Sequence, residues 1–439
     1  MSGSRGKARF VFFLSRRMLR GKGGTARYLR GAILGIAVSL VPLVVVMEVS
    51  TGMIEGITAR LLEVGTYHIQ VPLAPDVTGP VLAGTAESIR KVPGVVAAVP
   101  ERIGTAMIVS ARGASGASIR FVPPELFDLD KGFRSFVVIR EGDARLDQAD
   151  TLLVSSAMAV TLGVKAGDTV NILTTWGENF SGPPRLTPVR VSGIYDTGYQ
   201  ELDAALAYAP LALAERILSP RAARAMIGVK VRDPFGSLAS VSRDIAAAAG
   251  EGARVATWRE IEYARLSSFR TTKALLLFIM ALIVVVACVN VSSSVLMILF
   301  ERRHDLGILK SVGADPRALS LSFLLTGFTT GLAGTAAGIA AGLLVAVNIN
   351  EVIAGLEWTI NRVLDLASMI QSTLSPSAHP FGAFTLFNSA YYLKSIPVRI
   401  MANEVIAAAV TALLLSAFAA YFPASRAART RPLEILRKV

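Results

Sequence analysis

The residue types that do covalent or metal chemistry are few in this chain and far apart. Its three histidines, His68, His304 and His379, and its one cysteine, Cys288, fall in separate stretches, so no histidine-based zinc site assembles. Neither a G-x-S-x-G elbow nor an H-E-x-x-H pair is present. The Arg20-Gly-Lys-Gly-Gly-Thr25 segment has the composition of a phosphate loop without its G-x-x-x-x-G-K-[ST] spacing, and it follows no strand, so it reads as a flexible basic turn. The expectation is no catalytic residue, no metal and no cofactor bound by this chain. What remains is mechanical: a charged loop beginning at Glu301, with apolar positions Leu306, Ile308, Leu309 and Val312 and a glycine stop at Gly313. A bare connector needs no apolar face, so this loop implies a protein partner.

The elements that must position that loop are four long uncharged runs, Gly31–Met47, Ala274–Phe300, Ala318–Asn350 and Val405–Ser425. Each is about long enough for a helix to cross a bilayer. Hydrophobic residues make up 52% and charged residues 18%, with mean hydropathy +0.53, the composition of an integral membrane protein. Formal charge is +13, but residues 51–265 hold 22 Lys/Arg against 23 Asp/Glu, so the excess lies outside that stretch. Nine basic residues and no acid occupy the first thirty positions, and five more follow the last run. By the positive-inside rule both termini and the 301–317 loop are cytoplasmic. Nucleic-acid binding, which needs basic residues spread over a folded groove, is excluded.

The expected fold class is an α-helical membrane protein with four transmembrane helices and a large mixed α/β extracytoplasmic (periplasmic) domain between helices 1 and 2. Its segments are a basic N-terminus (1–30), helix 1 (31–50), the domain with its stalks (51–265) and helix 2 (274–300). The coupling loop (301–317), helix 3 (318–350), an extracytoplasmic connection (351–403), helix 4 (405–425) and a cytoplasmic C-terminus (426–439) follow. The first run lacks a small-residue cleavage site and continues as helix through Glu48–Arg60, an uncleaved anchor. With Cys288 alone, no internal disulfide forms, so the outer domain relies on its core, as two lobes.

Within the domain, Ala86–Lys91 reads as a helix, Val95–Val99 and Ala106–Ser110 as short strands, and Leu152–Leu162 as a helix. Thr169–Thr174 and Val189–Tyr195 read as strands and Pro210–Leu218 as a helix. Arg259–Lys273 reads as an amphipathic helix entering the second span. The Gly- and Pro-rich segment 176–188, with Trp176, Phe180, Pro183 and Pro184, is a hairpin tip or a docking prong. In the third span, Gly327, Gly331, Gly334, Gly338 and Gly342 set small-xxx-small spacings that suit close helix packing. Asn290 is polar at membrane depth and reads as a packing hydrogen bond. No Asp, Glu, Lys or Arg lies well inside a span, which disfavours ion-coupled transport.

The Glu301-Arg-Arg-His-Asp-Leu-Gly-Ile-Leu-Lys-Ser-Val-Gly-Ala314 loop closely resembles that of MacB/FtsX-type ABC transporter permeases, where it contacts the ATPase. Pro423-Ala-Ser-Arg-Ala-Ala-Arg429 and Pro432-Leu-Glu-Ile-Leu-Arg437 resemble that family's ending. Val49–Glu55, Gly65–Ile69, Gly193–Gly198 with Leu202, Asp203 and Tyr208, and Ala390–Val398 resemble the lipoprotein-releasing (LolC/LolE-type) branch. In that branch asparagine usually stands at Thr51 and proline at Tyr67.

This resemblance implies a bacterial inner-membrane, multi-pass permease subunit acting by mechanotransmission. Its partners would be a cytoplasmic ABC ATPase dimer, which uses ATP and Mg, a second permease subunit, a periplasmic lipoprotein carrier, a lipoprotein substrate and membrane lipid. Glu301, Arg303, Asp305, Leu306, Ile308, Leu309, Lys310 and Gly313 would meet the ATPase. Val44, Met47, Phe278 and Leu282 would line a lipid cavity, the 176–188 loop would dock the carrier, and Gly334, Gly338 and Gly342 would pack helices. The alternatives are a MacB-like efflux permease for peptides or small hydrophobic molecules and an FtsX-like signal relay to a periplasmic hydrolase.

Overall fold

A computed structural model describes residues 2–19, 24–175, 184–219, 223–250, 252–301, 303–374, 384–385 and 396–429. The chain divides into two compact units, one built on Ile54–Ser268 and the other on the flanking segments. The flanking unit is helical: α1 (Ser2–Leu19), α2 (Gly24–Arg60), α3 (Tyr263–Glu301), α4 (Arg303–Ser311), α5 (Pro316–Val347), α6 (Ile349–Leu374) and α7 (Ala402–Arg429). Among the described residues, α2, α3, α5 and α7 are the helices long and apolar enough to cross a membrane. Local chemistry sets the ends of α5. Asp315 accepts a hydrogen bond from the Arg317 amide at 2.9 Å, and Pro316 takes the first turn, where its missing N–H costs nothing.

The glycine stripe decides how these helices pack. Ideal Cβ atoms at Gly334, Gly338 and Gly342 would lie 2.8, 2.9 and 2.8 Å from the Cβ atoms of Ile36, Leu40 and Val44, so only glycine lets α5 approach α2 this closely. Both series rise together, so α2 and α5 run parallel. Gly327 meets Ala420 and Gly331 meets Ser416, an antiparallel register with α7. One face of α5 therefore changes partner along its length. Leu29, Val284, Cys288, Phe323 and Ala412 fill the space between the helices.

Two expected boundaries move. The third span stops at Val347, where the side chain of Asn348 donates back to the Leu344 carbonyl at 2.8 Å. Most of the 26-residue helix α6 (Ile349–Leu374) lies in the connection expected over 351–403, and its first two residues lie in the expected third span. Its amphipathic repeat lies too close to an apolar span to stand out by hydropathy.

The second unit carries one ten-stranded sheet. Its strands are β1 (Ile69–Pro72), β2 (Val95–Val109), β3 (Ala114–Val122), β4 (Val138–Gly142), β5 (Thr151–Ser155), β6 (Thr169–Thr175), β7 (Pro184–Asp196), β8 (Leu206–Pro210), β9 (Arg224–Val231) and β10 (Ala256–Thr257). The order is β10-β1-β9-β2-β3-β8-β5-β7-β4, with β6 bridging β2 and β7. The β3/β8 and β5/β7 pairs are parallel and the others antiparallel. Two cores share the sheet, one around Ile119, Phe121, Val154 and Leu213, the other around Ile69, Leu82, Val229 and Ile245.

Two strand expectations need correction. Val95–Val109 is one strand, not two, because Pro100, Glu101 and Arg102 stay in the sheet; Glu101 and Arg102 are buried. Leu152–Leu162 is a strand followed by a helix: Ser155 ends β5 and caps the helix Ser156–Leu162 by accepting from the Met158 amide at 3.0 Å.

Candidate mechanotransmission site

In the sheet-bearing unit, the first stalk ends in a buried charge cluster. After Arg60, α2 widens into a π-helical turn, Leu61–Thr66, and Tyr67 then takes φ +60° to turn the chain into β1. The Lys230 ammonium donates to Glu63 Oε2 at 2.6 Å, to the Glu63 carbonyl at 2.8 Å and to Asp130 Oδ1 at 2.7 Å. Nδ1 of His68 accepts from the Val231 amide at 3.0 Å, so the ring proton sits on Nε2, which donates to Glu63 Oε1 at 3.3 Å. Burial alone would raise Glu63, but the His68 hydrogen bond and the Lys230 charge outweigh it and bring its pKa down to about 2.

Beside this cluster, the buried Arg120 guanidinium grips both oxygens of buried Glu101 and donates to the Val64 and Gly65 carbonyls of the π turn. Arg120 also stacks 4.9 Å from the Tyr67 ring centroid. Tyr67 in turn lies flat on Gly228, where any side chain would collide with its ring. Burial pushes the Tyr67 hydroxyl well above its ordinary pKa, and the Glu101 charge adds to the effect.

The second part of the site is the segment Asp196–Glu201. Asp203 Oδ1 accepts from the Thr197 amide at 3.0 Å and from its hydroxyl at 2.8 Å, and Asp196 Oδ1 accepts from Gly198 N at 2.8 Å. Gly198 adopts φ +71°, a conformation that suits glycine. The loop so fixed is gripped from two helices. Arg60, the last residue of α2, donates to the Thr197 carbonyl at 3.1 Å. Arg265, near the start of α3, donates to both Glu201 oxygens at 2.7 Å, while its Nε bonds Glu262 at 3.0 Å. The motif Gly193–Tyr208 is thus the place where both stalks are tied to the sheet. Burial, reinforced by the nearby Asp196 charge, raises Asp203 to about 6.

In the helical unit, a polar lock joins three helices. Lys273 of α3 donates to Glu404 Oε1 of α7 at 2.8 Å and to Thr51 Oγ1 of α2 at 2.7 Å. Thr51 donates to Glu404 Oε2 at 3.1 Å, and Glu48 Oε2 accepts from the Met401 amide at 3.1 Å. In the sequence Glu48 stands out only as the start of the helix that continues the first run, and the lock is not visible there. The available signal was a lone acid or base abutting an apolar run on three different helices.

The other expected site residues fall as follows. Glu301 closes α3, and the loop forms the helix α4 with Gly313 at φ +93° after it. Ile308 and Val312 are exposed and Asp305 is exposed, whereas Leu309 turns inward against the helical core. The side chains of Arg303, Leu306 and Lys310 lie outside those described. The four expected cavity residues are not brought together: Val44 and Met47 are buried, Val44 against Gly342, while Phe278 and Leu282 are exposed on α3. The parallel α2/α5 contact uses the face of α2 on which Val44 lies. Trp176, Phe180 and Pro183 lie outside the described residues. Exposed Pro184 opens β7 opposite Thr175. Asn290 has no described side chain. Among the described residues, no cluster of His, Cys, Asp or Glu could hold a metal ion.

Residues 277–432 match the family described as FtsX-like permease C-terminal. The chain is 25% identical to the lipoprotein-releasing system transmembrane protein LolE of Haemophilus influenzae over 435 residues, 97% of this chain and 98% of that protein. It is also 25% identical to the LolC protein of Xylella fastidiosa over 419 residues, 92% of each. Among solved structures, the periplasmic region of MacB from Actinobacillus actinomycetemcomitans aligns at 13% identity with a TM-score of 0.31, covering 45% of this chain and 92% of that one. The chain is therefore similar to FtsX-like permeases over residues 277–432 and, over nearly its whole length, to the transmembrane proteins of lipoprotein-releasing systems.

Proposed function

We propose that this chain is the permease subunit of an ABC transporter that lifts lipoproteins from the bacterial inner membrane and passes them to a periplasmic carrier. The observation that carries the reading is the likeness to lipoprotein-releasing transmembrane proteins over 97% of the chain, outer domain included. Both termini are cytoplasmic in this proposal and the α/β unit is periplasmic. A partner ATPase dimer uses ATP and Mg and drives a pair of permease subunits through α4, where exposed Ile308 and Val312 offer an apolar contact. Motion then passes along α2 and α3. Arg60 and Arg265, tied to one loop of the sheet, support a common transmission of both stalks.

Energetics explain why such a machine needs an apolar path. Three acyl chains of roughly 15 methylenes each, at about 0.8 kcal/mol per CH₂, would cost on the order of 36 kcal/mol to expose to water. One ATP does not supply that, so the chains must slide from bilayer to apolar surface to carrier. Exposed Phe278 and Leu282 on α3, with Met47 at the outer part of α2, are proposed to border that path. The 176–188 segment is proposed to receive the carrier.

The test is reconstitution of the chain with its ATPase in liposomes containing a triacylated lipoprotein, with and without carrier. ATP- and carrier-dependent appearance of the lipoprotein in the soluble fraction is expected. ATPase activity with no release under any carrier condition would overturn the cargo and leave efflux or signal relay.

A further inference from the structure

Helix α6 follows the third span after one residue, Asn348, and carries a stripe with no assigned partner. At about 100° per residue, Val352, Leu356, Val363 and Leu366 fall within about 80° of one another, and all four are exposed. The stripe contains no charged side chain. Glu351, Glu357, Arg362 and Asp365 lie on the remaining surface of the helix.

Two described points after α6, Phe384 and Ile396, bond to the helix away from the stripe. Asn350 donates to the Ile396 carbonyl at 3.3 Å and accepts from its amide at 3.0 Å. Asn361 donates to the Phe384 carbonyl at 3.0 Å and accepts from its amide at 2.8 Å. Both asparagines sit about opposite the stripe, so Phe384 and Ile396 meet α6 on its polar face. Within the 26-residue helix the stripe from Val352 to Leu366 runs about 21 Å along the axis.

We propose that α6 is an interfacial helix, with its Val352–Leu366 stripe set into the acyl-chain boundary of the bilayer leaflet where α5 ends. A bilayer is the occupant because α6 starts where a membrane-spanning helix stops, so its first turns lie at headgroup level, and because the stripe carries no charge, its one polar residue, Thr359, donating its hydroxyl to the Gly355 carbonyl at 2.7 Å. Three acids and one base on the other face give no attraction for anionic lipid. Binding therefore rests on apolar burial, and zwitterionic lipid suffices. The inference depends on α5 spanning the membrane and not on the cargo.

The test uses the full-length chain in nanodiscs of phosphatidylethanolamine and phosphatidylcholine. In a Cys288→Ala background, single cysteines at Val363, at Leu356 and, on the opposite face, at Ala354 receive an environment-sensitive fluorophore. Lipids spin-labelled high on the acyl chain are expected to quench the 356 and 363 probes at least threefold more than the 354 probe. Aqueous iodide is expected to show the reverse order, and replacing a third of the lipid with phosphatidylglycerol is expected to leave the pattern unchanged. Equal iodide access at all three positions would overturn the proposal. So would probes at 356 and 363 shielded from both quenchers, which would mean that protein covers the stripe.

Discussion

Lys230 illustrates how much one buried ion can carry. It pairs with Glu63 and Asp130 at once, and neither its own side chain nor that of Asp130 reaches water appreciably. Removing one partner from such a cluster leaves buried charge unpaired, and Lys230→Met is expected to destabilise the outer unit by about 3–5 kcal/mol. Urea titration of the solubilised chain, followed through Trp258 fluorescence, would measure it. Gly338 is the helical counterpart. A leucine there must displace Leu40 and the Ala37 backbone, so Gly338→Leu is expected to cost about 1–3 kcal/mol. Gly31→Leu, with open space around it, is expected to change the detergent melting temperature little. The glycine spacing was legible in the sequence because small residues at membrane depth have few other uses. Lys230, Glu63 and Asp130 were not, because residues 63, 130 and 230 meet only through the fold.

Between residue and molecule, the Asp196–Glu201 segment behaves as one element whose stability depends on pH. The pKa of Asp203 in the fold lies above its unfolded value, so ionising it weakens the native state. That penalty is complete above about pH 6 and is relieved as pH falls from there toward 4. Glu63 acts with the opposite sign: its folded pKa of about 2 is below the ordinary value, so its contribution is present above about pH 4.5 and is lost as pH falls toward 2. Asp203→Asn keeps an oxygen for Thr197 and removes the titration. Its stability is expected to stay flat between pH 6 and 4, where the parent chain gains, in denaturant titrations across that range. Element types were read well where periodicity was clean, as in β6 and the helix Leu211–Ile217. They were misread where buried charged residues sit inside a strand, as at Glu101 and Arg102, because charge in a sequence looks like surface. The amphipathic α6 escaped for the converse reason, its apolar stripe blending into the end of a membrane span.

For the whole molecule, the proposed function expects the two arginines that meet one loop to matter more for transmission than for stability. The Arg265–Glu201 pair is partly exposed and is worth about 1 kcal/mol or less to folding. Arg265→Ala is therefore expected to leave melting nearly unchanged while lowering ATP-driven lipoprotein release severalfold, with ATPase turnover retained. Parallel release and ATPase assays on the reconstituted complex would check it, and equal loss of both activities would argue against a transmitting role. The four long apolar helices followed from sequence because hydropathy along the chain is a one-dimensional signal. The clamp did not, since it joins the ends of two helices separated by about two hundred residues.

The glycine face of α5 also divides the helical unit by how freely its residues can change. Where backbone meets backbone, as at Gly334, Gly338 and Gly342, no larger side chain fits, and the ordinary interchange of one apolar residue for another is closed. Along α3, where Leu275, Phe278, Ile279, Leu282 and Val286 are exposed, almost any greasy residue preserves the span. Variation across descendants of this chain should accordingly gather on α3, leaving that helix to adapt to new lipids or subunits while α5 holds the frame unchanged.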